Sequence, residues 1–270
     1  DFGCPDDEGT TTTAGDCDDS DPYVHPGIVG DSCDGVDTDC DGDIDEDSKA
    51  GWSLLSIDTR DKQVYDIDPA SGALSVVTPI VFPELINSMD VSENGLSVVH
   101  ARTSGTTSTR TIQYLDACTG TLTMIGPHGA TAFGGIAFGP DGRLFGIGSG
   151  DVLYELDLTT GLATSVGPLG IDIGTSGLAW DCTNQRMFGA DGNQDRVFEV
   201  DLVTGAATRV RSTGVPFSSV GIEYDRASGL LYAATGTALY TIEPSTGAST
   251  RVGDLDASNI DDLAWHPTCP

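Results

Sequence analysis

Residues 152–167 read V-L-Y-E-L-D-L-T-T-G-L-A-T-S-V-G, and most of the chain is a variation on them. An alternating strand runs into an Asp-led turn ending in Thr-Gly, and a second short strand of β-branched residues follows. The same pattern returns as VFEVDLVTGAATRV from Val197, LYTIEPSTGASTRVG from Leu239, VYDIDPASGALSVV from Val64 and IQYLDACTGTLTMIG from Ile112. The turn glycines are Gly72, Gly120, Gly161, Gly205 and Gly247, at steps of 48, 41, 44 and 42 residues. Such a period signals a repeat architecture.

A second repeated element lies between these hairpins. GGIAFGPDGRLFGIG from Gly134, SGLAWDCTNQRMFGA from Ser176, VGIEYDRASGLLYAA from Val220 and SMDVSENGLSVVHA from Ser88 each read as strand, turn, strand. One repeat therefore supplies four short antiparallel strands, the content of a propeller blade. DDLAWHP at residues 261–267 has a first strand only, and WSLLSID at residues 52–58 precedes the first hairpin alone. The C-terminal strand is thus expected to complete the N-terminal blade and close the ring, which removes open sheet edges. The fold expected is all-β: a five-bladed propeller over residues 52–270, preceded by a Cys/Asp-rich module over residues 1–51 with little regular structure.

Charge separates the two parts. Residues 1–47 hold 17 of the 42 acids and none of the 12 bases, a net of −17, while the rest of the chain carries −13. A chain of net charge −30 repels nucleic acid and anionic lipid. No run is long and apolar enough to span a bilayer, so neither nucleic-acid binding nor membrane insertion is expected. Without a starting Met or a signal-like segment, the chain reads as a processed or partial product. Four of the seven cysteines, Cys4, Cys17, Cys33 and Cys40, fall in the acidic segment, which has few apolar residues for a core. Segments of that kind rely on disulfides or metal, pointing to an oxidising, extracellular or cell-surface setting. Seven is odd, so one thiol is free, pairs with another chain or has its partner elsewhere.

CDGVDTDCDGDIDED carries the chemistry of this segment. Asp37, Asp39 and Asp41 alternate, Gly42 follows, and Asp45 and Glu46 come next. Calcium takes six to eight hard oxygens, and carboxylates at positions 1, 3 and 5 of a curled loop point inward, with glycine at position 6 for the sharp turn. The Asp43 carbonyl suits position 7 and Asp45 position 9. Ser48 stands at position 12 where a helix-loop-helix site has a bidentate Glu, so the loop is calcium-like without being an EF-hand. Glu46, Asp34 or one of Asp16, Asp18, Asp19 and Asp21 is available for the missing ligands, and Asp18, Asp19 and Asp21 are candidates for a second ion. The competing reading is an acidic tail, but such tails do not interleave Asp with Cys and Gly at fixed offsets.

DCDDSDPYVHPG followed by this string resembles the MopE-type metal-binding motif of secreted and surface proteins of some Gram-negative bacteria. The D-x-D-x-D-G core is similar to thrombospondin type 3 calcium repeats. The resemblance covers residues 16–47 and is carried by Cys17, Pro26, Gly27, Cys33, Cys40 and the Asp ladder. It implies a bound metal and an extracellular address. The family label mentions copper, but copper prefers imidazole and sulfur, and only His25 stands among these hard oxygens; calcium is the cofactor expected.

Antiparallel connectivity puts Cys118, Cys182 and Cys269 on one face of the disc, where the acidic module also enters at Trp52. A bridge from module to disc is expected there. The opposite face carries the longer interblade loops, beginning at Pro79, Pro127, Gly167, Arg211 and Gly253, where propellers usually place recognition. Phe82, Phe133, Ile171 and Phe217 in these loops read as plugs between blades. No catalytic constellation is evident. The four histidines are scattered, GPDG at residues 139–142 is a turn, and Asp68, Asp157 and Asp201 recur as turn-forming carboxylates. DGNQD at residues 191–195 lacks the ligands for a cation.

These features describe a secreted or cell-surface, calcium-binding, non-enzymatic propeller acting in interaction, adhesion or assembly of a surface fibre or layer. Its expected partners are a surface protein or glycan, or further copies of itself. The alternative is a lectin or glycosidase-like propeller, which would need two carboxylates flanking the central channel; Asp172, Glu223, Asp261 and Asp262 are the candidates.

Overall fold

Each Thr-Gly hairpin forms for the same local reason. The Asp157 carboxylate accepts hydrogen bonds from Thr159 N and Thr160 N at 2.7 and 3.0 Å, and Gly161 N donates back to Asp157 O at 2.7 Å. Asp201 repeats this with Val203 N and Thr204 N at 2.9 and 2.8 Å, and Asp116 with Cys118 N and Thr119 N, both at 3.0 Å. The Thr159 and Thr204 donors hold Asp157 and Asp201 below the usual carboxylate range. These aspartates are turn builders, as the repeat pattern implied. Gly161 and Gly205 close the turns at φ 79°, a conformation that costs glycine alone nothing.

The computed structural model describes residues 17, 26, 40, 52–58, 60–80, 85–93, 95–102, 109–148, 150–217, 219–257, 260, 262–267 and 269. Among them are twenty strands in five four-stranded antiparallel sheets. Blade 1 holds β1 (Trp52–Asp58), β2 (Gln63–Ile67), β3 (Leu74–Pro79) and, innermost, the C-terminal β20 (Ala264–Pro267). Blade 2 is β4 (Leu85–Val91), β5 (Ser97–Arg102), β6 (Arg110–Asp116) and β7 (Thr121–Pro127). Blade 3 is β8 (Phe133–Phe138), β9 (Leu144–Gly148), β10 (Val152–Leu156) and β11 (Ala163–Pro168). Blade 4 is β12 (Ser176–Asp181), β13 (Arg186–Asp191), β14 (Arg196–Val200) and β15 (Ala207–Ser212). Blade 5 is β16 (Gly221–Asp225), β17 (Leu230–Ala234), β18 (Ala238–Ile242) and β19 (Ser249–Asp254).

The first strands of neighbouring blades touch in turn, β20 to β4, β8, β12, β16 and back to β20, so the ring is closed. Closure rests on β1 against β20, with Trp52 opposite Pro267 and Leu55 opposite Ala264. Regular pairing in β20 starts at Ala264, and just before it Ser56 Oγ donates to Asp262 O at 2.5 Å. β4 begins at Leu85, inside the stretch read as an interblade loop, because a register shift between Ile86 and Ser88 lets pairing continue.

Period-two alternation sends successive apolar residues to opposite faces of each blade, so the core is divided into five parts, one per blade interface. Leu54 packs with Ala234 and Leu239 of blade 5, whereas Leu55 packs with Met89 and Val99 of blade 2. Val98 and Ile112 meet Phe133 and Ile136; Phe145 and Leu153 meet Met187 and Phe198; Phe188 and Val197 meet Ile222 and Leu231. Each fully buried side chain of this kind contributes roughly 1.5–3 kcal/mol. The predicted plugs fit this scheme: Phe133 and Phe217 are buried and Ile171 packs on the interface of blades 3 and 4, while Phe82 lies outside the described residues.

The turn glycines have a second job at the perimeter. A Cβ on Gly161 would stand 2.5 Å from Gly126 O of the preceding blade, and one on Gly205 would overlap Gly167 O. Gly120 meets Pro79 O, Gly247 meets Ser212 O and Gly72 meets Asp254 O in the same way. Every hairpin turn is therefore seated on the outer strand of the blade before it, which closes a second ring around the first.

Candidate functional site

The ten predicted metal ligands, Asp18, Asp19, Asp21, Asp34, Asp37, Asp39, Asp41, Asp43, Asp45 and Glu46, lie outside the described residues, as does Asp261. Two described neighbours bear on their chemistry. Cys17 and Cys40 form a disulfide with Cα atoms 5.6 Å apart, and Cys17 N donates to Cys40 Sγ at 3.0 Å. That bond clips together the two ends of the segment that contains six of the ten acids. It also removes both sulfurs as thiolate ligands.

The rim of the disc that bears the β6–β7 turn is also built with sulfur. Cys118, in the turn after β6, is bonded to Cys269, just beyond β20, with Cα atoms 5.4 Å apart. His266 of β20 brings a nitrogen within 4.8 Å of both sulfurs. As a disulfide this trio has no thiolate to offer a metal. A cavity of about 460 Å³ opens beside it, lined by Leu96, Ser97, Tyr114, Asp116, Thr123 and His266 among others. Cys182, in the turn after β12, is likewise disulfide-bonded, and no described cysteine is its partner.

The axis holds a group of acids only partly visible in the sequence. Aligning the first strands puts Ala137, Ala179 and Ala264 in one column with Asp90 and Glu223. Small residues prevail on this side of the inner strands because the wedge between blades narrows: a Cβ on Gly135 would lie 2.7 Å from Gly177 Cα, and one on Gly177 would lie 2.9 Å from Ile222 N. Asp262, Asp90 and Glu223 interrupt that pattern on three successive blades. Asp262 is fully buried, and burial followed by the charges of Asp90 and Glu223 pushes its carboxyl well above the usual range. Asp262 Oδ2 accepts from Met89 N at 3.3 Å and Asp90 Oδ2 from Phe138 N at 2.5 Å. Each of these two carboxylates thus ties its blade to the backbone of the next. Glu223 and Asp262 were candidates from the sequence; Asp90 was missed, and its column in the repeat alignment is the signal that finds it.

Other acids serve local structure. Asp181 and Asp191 are fully buried and paired with Arg186 and Arg196 at 2.6 and 2.8 Å. Asp195 accepts from Phe217 N at 2.8 Å, so the carboxylates at the ends of residues 191–195 are engaged by protein donors. Asp172 contributes its carbonyl, not its carboxylate, to Gln194 and Arg196. Among the described residues no helix is long and apolar enough to cross a membrane.

The described strands define a five-bladed β-propeller, and the sequence before them carries a recognisable motif. Residues 16–46 match the MopE-type family described as a "Putative metal-binding motif". No curated protein matches the chain. Among solved structures, it is similar to a protein of unknown function from Bacteroides caccae, at 13% identity and TM-score 0.55, covering 81% of this chain and 100% of that one. A chain in a nidogen/laminin complex gives 9% identity and TM-score 0.55 over 82% and 100% of the two chains. A gluconolactonase from Xanthomonas campestris gives 16% identity and TM-score 0.50 over 79% and 75%. At these identities the likeness is one of fold alone.

Proposed function

We propose that the protein is a secreted or cell-surface binding and assembly component in which a calcium-loaded N-terminal segment is fastened to one rim of a non-enzymatic propeller. The observation that carries this reading is the bonded state of Cys182. Cys17, Cys40, Cys118 and Cys269 are already paired, which leaves Cys4 and Cys33 as the cysteines of this chain able to reach it, and both belong to the acidic segment. A fastened segment, stiffened when its carboxylates close on an ion, presents a fixed surface to a neighbouring protein, glycan or copy of the chain. The carboxylate set suits calcium at that position, and the disulfides suit an oxidising compartment.

Sedimentation with calcium and then with EGTA tests the reading. Calcium-dependent association, or calcium-dependent binding to a surface glycan or protein, is the outcome expected; an unchanged monomer that retains no calcium overturns it. The convergence of Asp90, Asp262 and Glu223 supports a second reading, a sugar-acting propeller. Its supporting result is turnover or binding on a glycoside panel that is lost in Glu223→Gln.

A further inference from the structure

The interface of blades 2 and 3 contains polar groups that the fold itself does not satisfy. His100 of β5 and His128, just after β7, are each 1% exposed, and Ser88 of β4 is fully buried. Ser88 is the register partner of His100, so both stand on the face of blade 2 that meets blade 3. The imidazole centroids are 5.1 Å apart, and Phe133 lies against both, at 5.6 and 4.6 Å. Both nitrogens of His100, Nε2 of His128 and Oγ of Ser88 have no hydrogen-bond partner. Native interiors rarely leave four such atoms together without ordered water or a bound molecule to supply the partners.

The chemistry of these groups selects the guest. His128 Nδ1 accepts from Ala130 N at 3.2 Å, which assigns the ring proton to Nε2 and makes that atom a donor. A metal needs the lone pair this proton occupies, so a cation is disfavoured. Arg110, at the start of β6, disfavours one further: its charge reaches both imidazoles, and its backbone oxygen accepts from His128 N at 3.2 Å. Among the described residues the Arg110 guanidinium has no carboxylate partner and no hydrogen bond, although Arg143, Arg186, Arg196, Arg209, Arg226 and Arg251 are each paired with an acid. In a chain with 42 acids and 12 bases, a partly buried arginine left without an acid is a vacancy for an anion from outside. A cavity of about 420 Å³ stands over it, lined by Thr109, Arg110, Pro127, Gly129, Ala130 and Thr131, within the size range of small-molecule sites. His128 sits between two of these lining residues.

We propose that this cavity binds the carboxylate of a small organic acid, with Arg110 as the charge partner and the donor-rich His128–His100–Ser88 group behind it as a second layer. The guanidinium fork matches a carboxylate bidentately, and it is a local positive point on a surface that otherwise repels anions. This site lies on the rim opposite the Cys118–Cys269 bond.

Acetate and glucuronate are the probes, with glucose as the neutral control, and the readout is the imidazole 15N and 13C resonances of His100 and His128 in the full chain. Saturable shifts of both rings with either acid, at millimolar concentration, are expected. Glucose leaves them unmoved, and Arg110→Gln weakens the response at least tenfold. Arg209→Gln, on exposed β15, retains it and controls for loss of charge. The proposal is overturned if neither acid moves the rings, if glucose moves them equally, or if a folded Arg110→Gln responds as the parent does.

Discussion

Cutting the Cys118–Cys269 bond is the sharpest test of how this ring stays closed. The bond spans 151 residues of sequence and joins the β6–β7 turn of blade 2 to the strand that completes blade 1. In the chain-entropy account, a cross-link enclosing a loop of that length removes about 17 cal/mol/K from the unfolded ensemble, which is about 5 kcal/mol at room temperature. What holds β20 otherwise is a short ladder to β1, from Trp52–Pro267 to Leu55–Ala264, and the burial of Leu263 and Ala264. The double variant Cys118→Ser/Cys269→Ser is therefore expected to lose about 2–5 kcal/mol in urea unfolding. For a domain of this size the melting temperature falls by roughly 2–4 °C per kcal/mol, so a drop of about 5–20 °C follows. Hydrogen exchange in residues 262–267 and 52–58 is expected to quicken first. A melting shift below about 2 °C, with unchanged exchange in those strands, refutes the reasoning: ladder and burial alone would then be sufficient to hold the seam.

Peptide mapping under non-reducing conditions is expected to link Cys182 to Cys4 or Cys33, and a free Cys182 thiol removes the fastening. EGTA is expected to expose the chain to protease near Asp31 while sparing the blades, and unchanged cleavage argues against calcium. Gly167→Ala puts a methyl into Thr204 O and is expected to cost about 1–3 kcal/mol, measured as a shift of the urea midpoint. Burial first, then His128 and Arg110, holds His100 down to about 3, and burial with Arg110 holds His128 to about 4. Unfolding therefore takes up protons that the native state refuses: stability from these groups is complete above about pH 6.5 and is lost as pH falls toward 4. Each group contributes a slope of about 1.4 kcal/mol per pH unit, and His100→Gln is expected to flatten the profile by one such slope between pH 6 and 4.5. Asp262 has the opposite sign: its raised native value means that its contribution is lost as pH rises through that value. Asp262→Asn is accordingly expected to match or exceed the parent in stability at pH 7.

What the sequence made legible was whatever is local and repeated. The acid-led turn ending in Ser-Gly or Thr-Gly is written within five residues, so its five copies counted the blades. Parity of strand connections placed Cys118, Cys182 and Cys269 on one rim, although which sulfur meets which is a matter of three-dimensional closure over 151 residues. The His100–His128 pair was invisible because the two residues come from separate segments of blade 2, His100 in β5 and His128 just after β7, and meet only once that sheet forms. Asp90 was overlooked because SMDVSENG by itself does not announce its burial, which follows from the inner position of β4 and is signalled only by its column in the repeat alignment. The early start of β4 at Leu85 depended on a register shift beyond the reach of an alternating pattern.

The pairing of Trp52 with Pro267 has a mechanical consequence. Both ends of the ring leave side by side from a single corner, so the disc hangs from its connections as a pendant and does not lie in series between them. Tension applied through those two ends would peel β1 from β20 one rung at a time, the weakest direction in which to load a ladder, until the Cys118 bolt took up the strain.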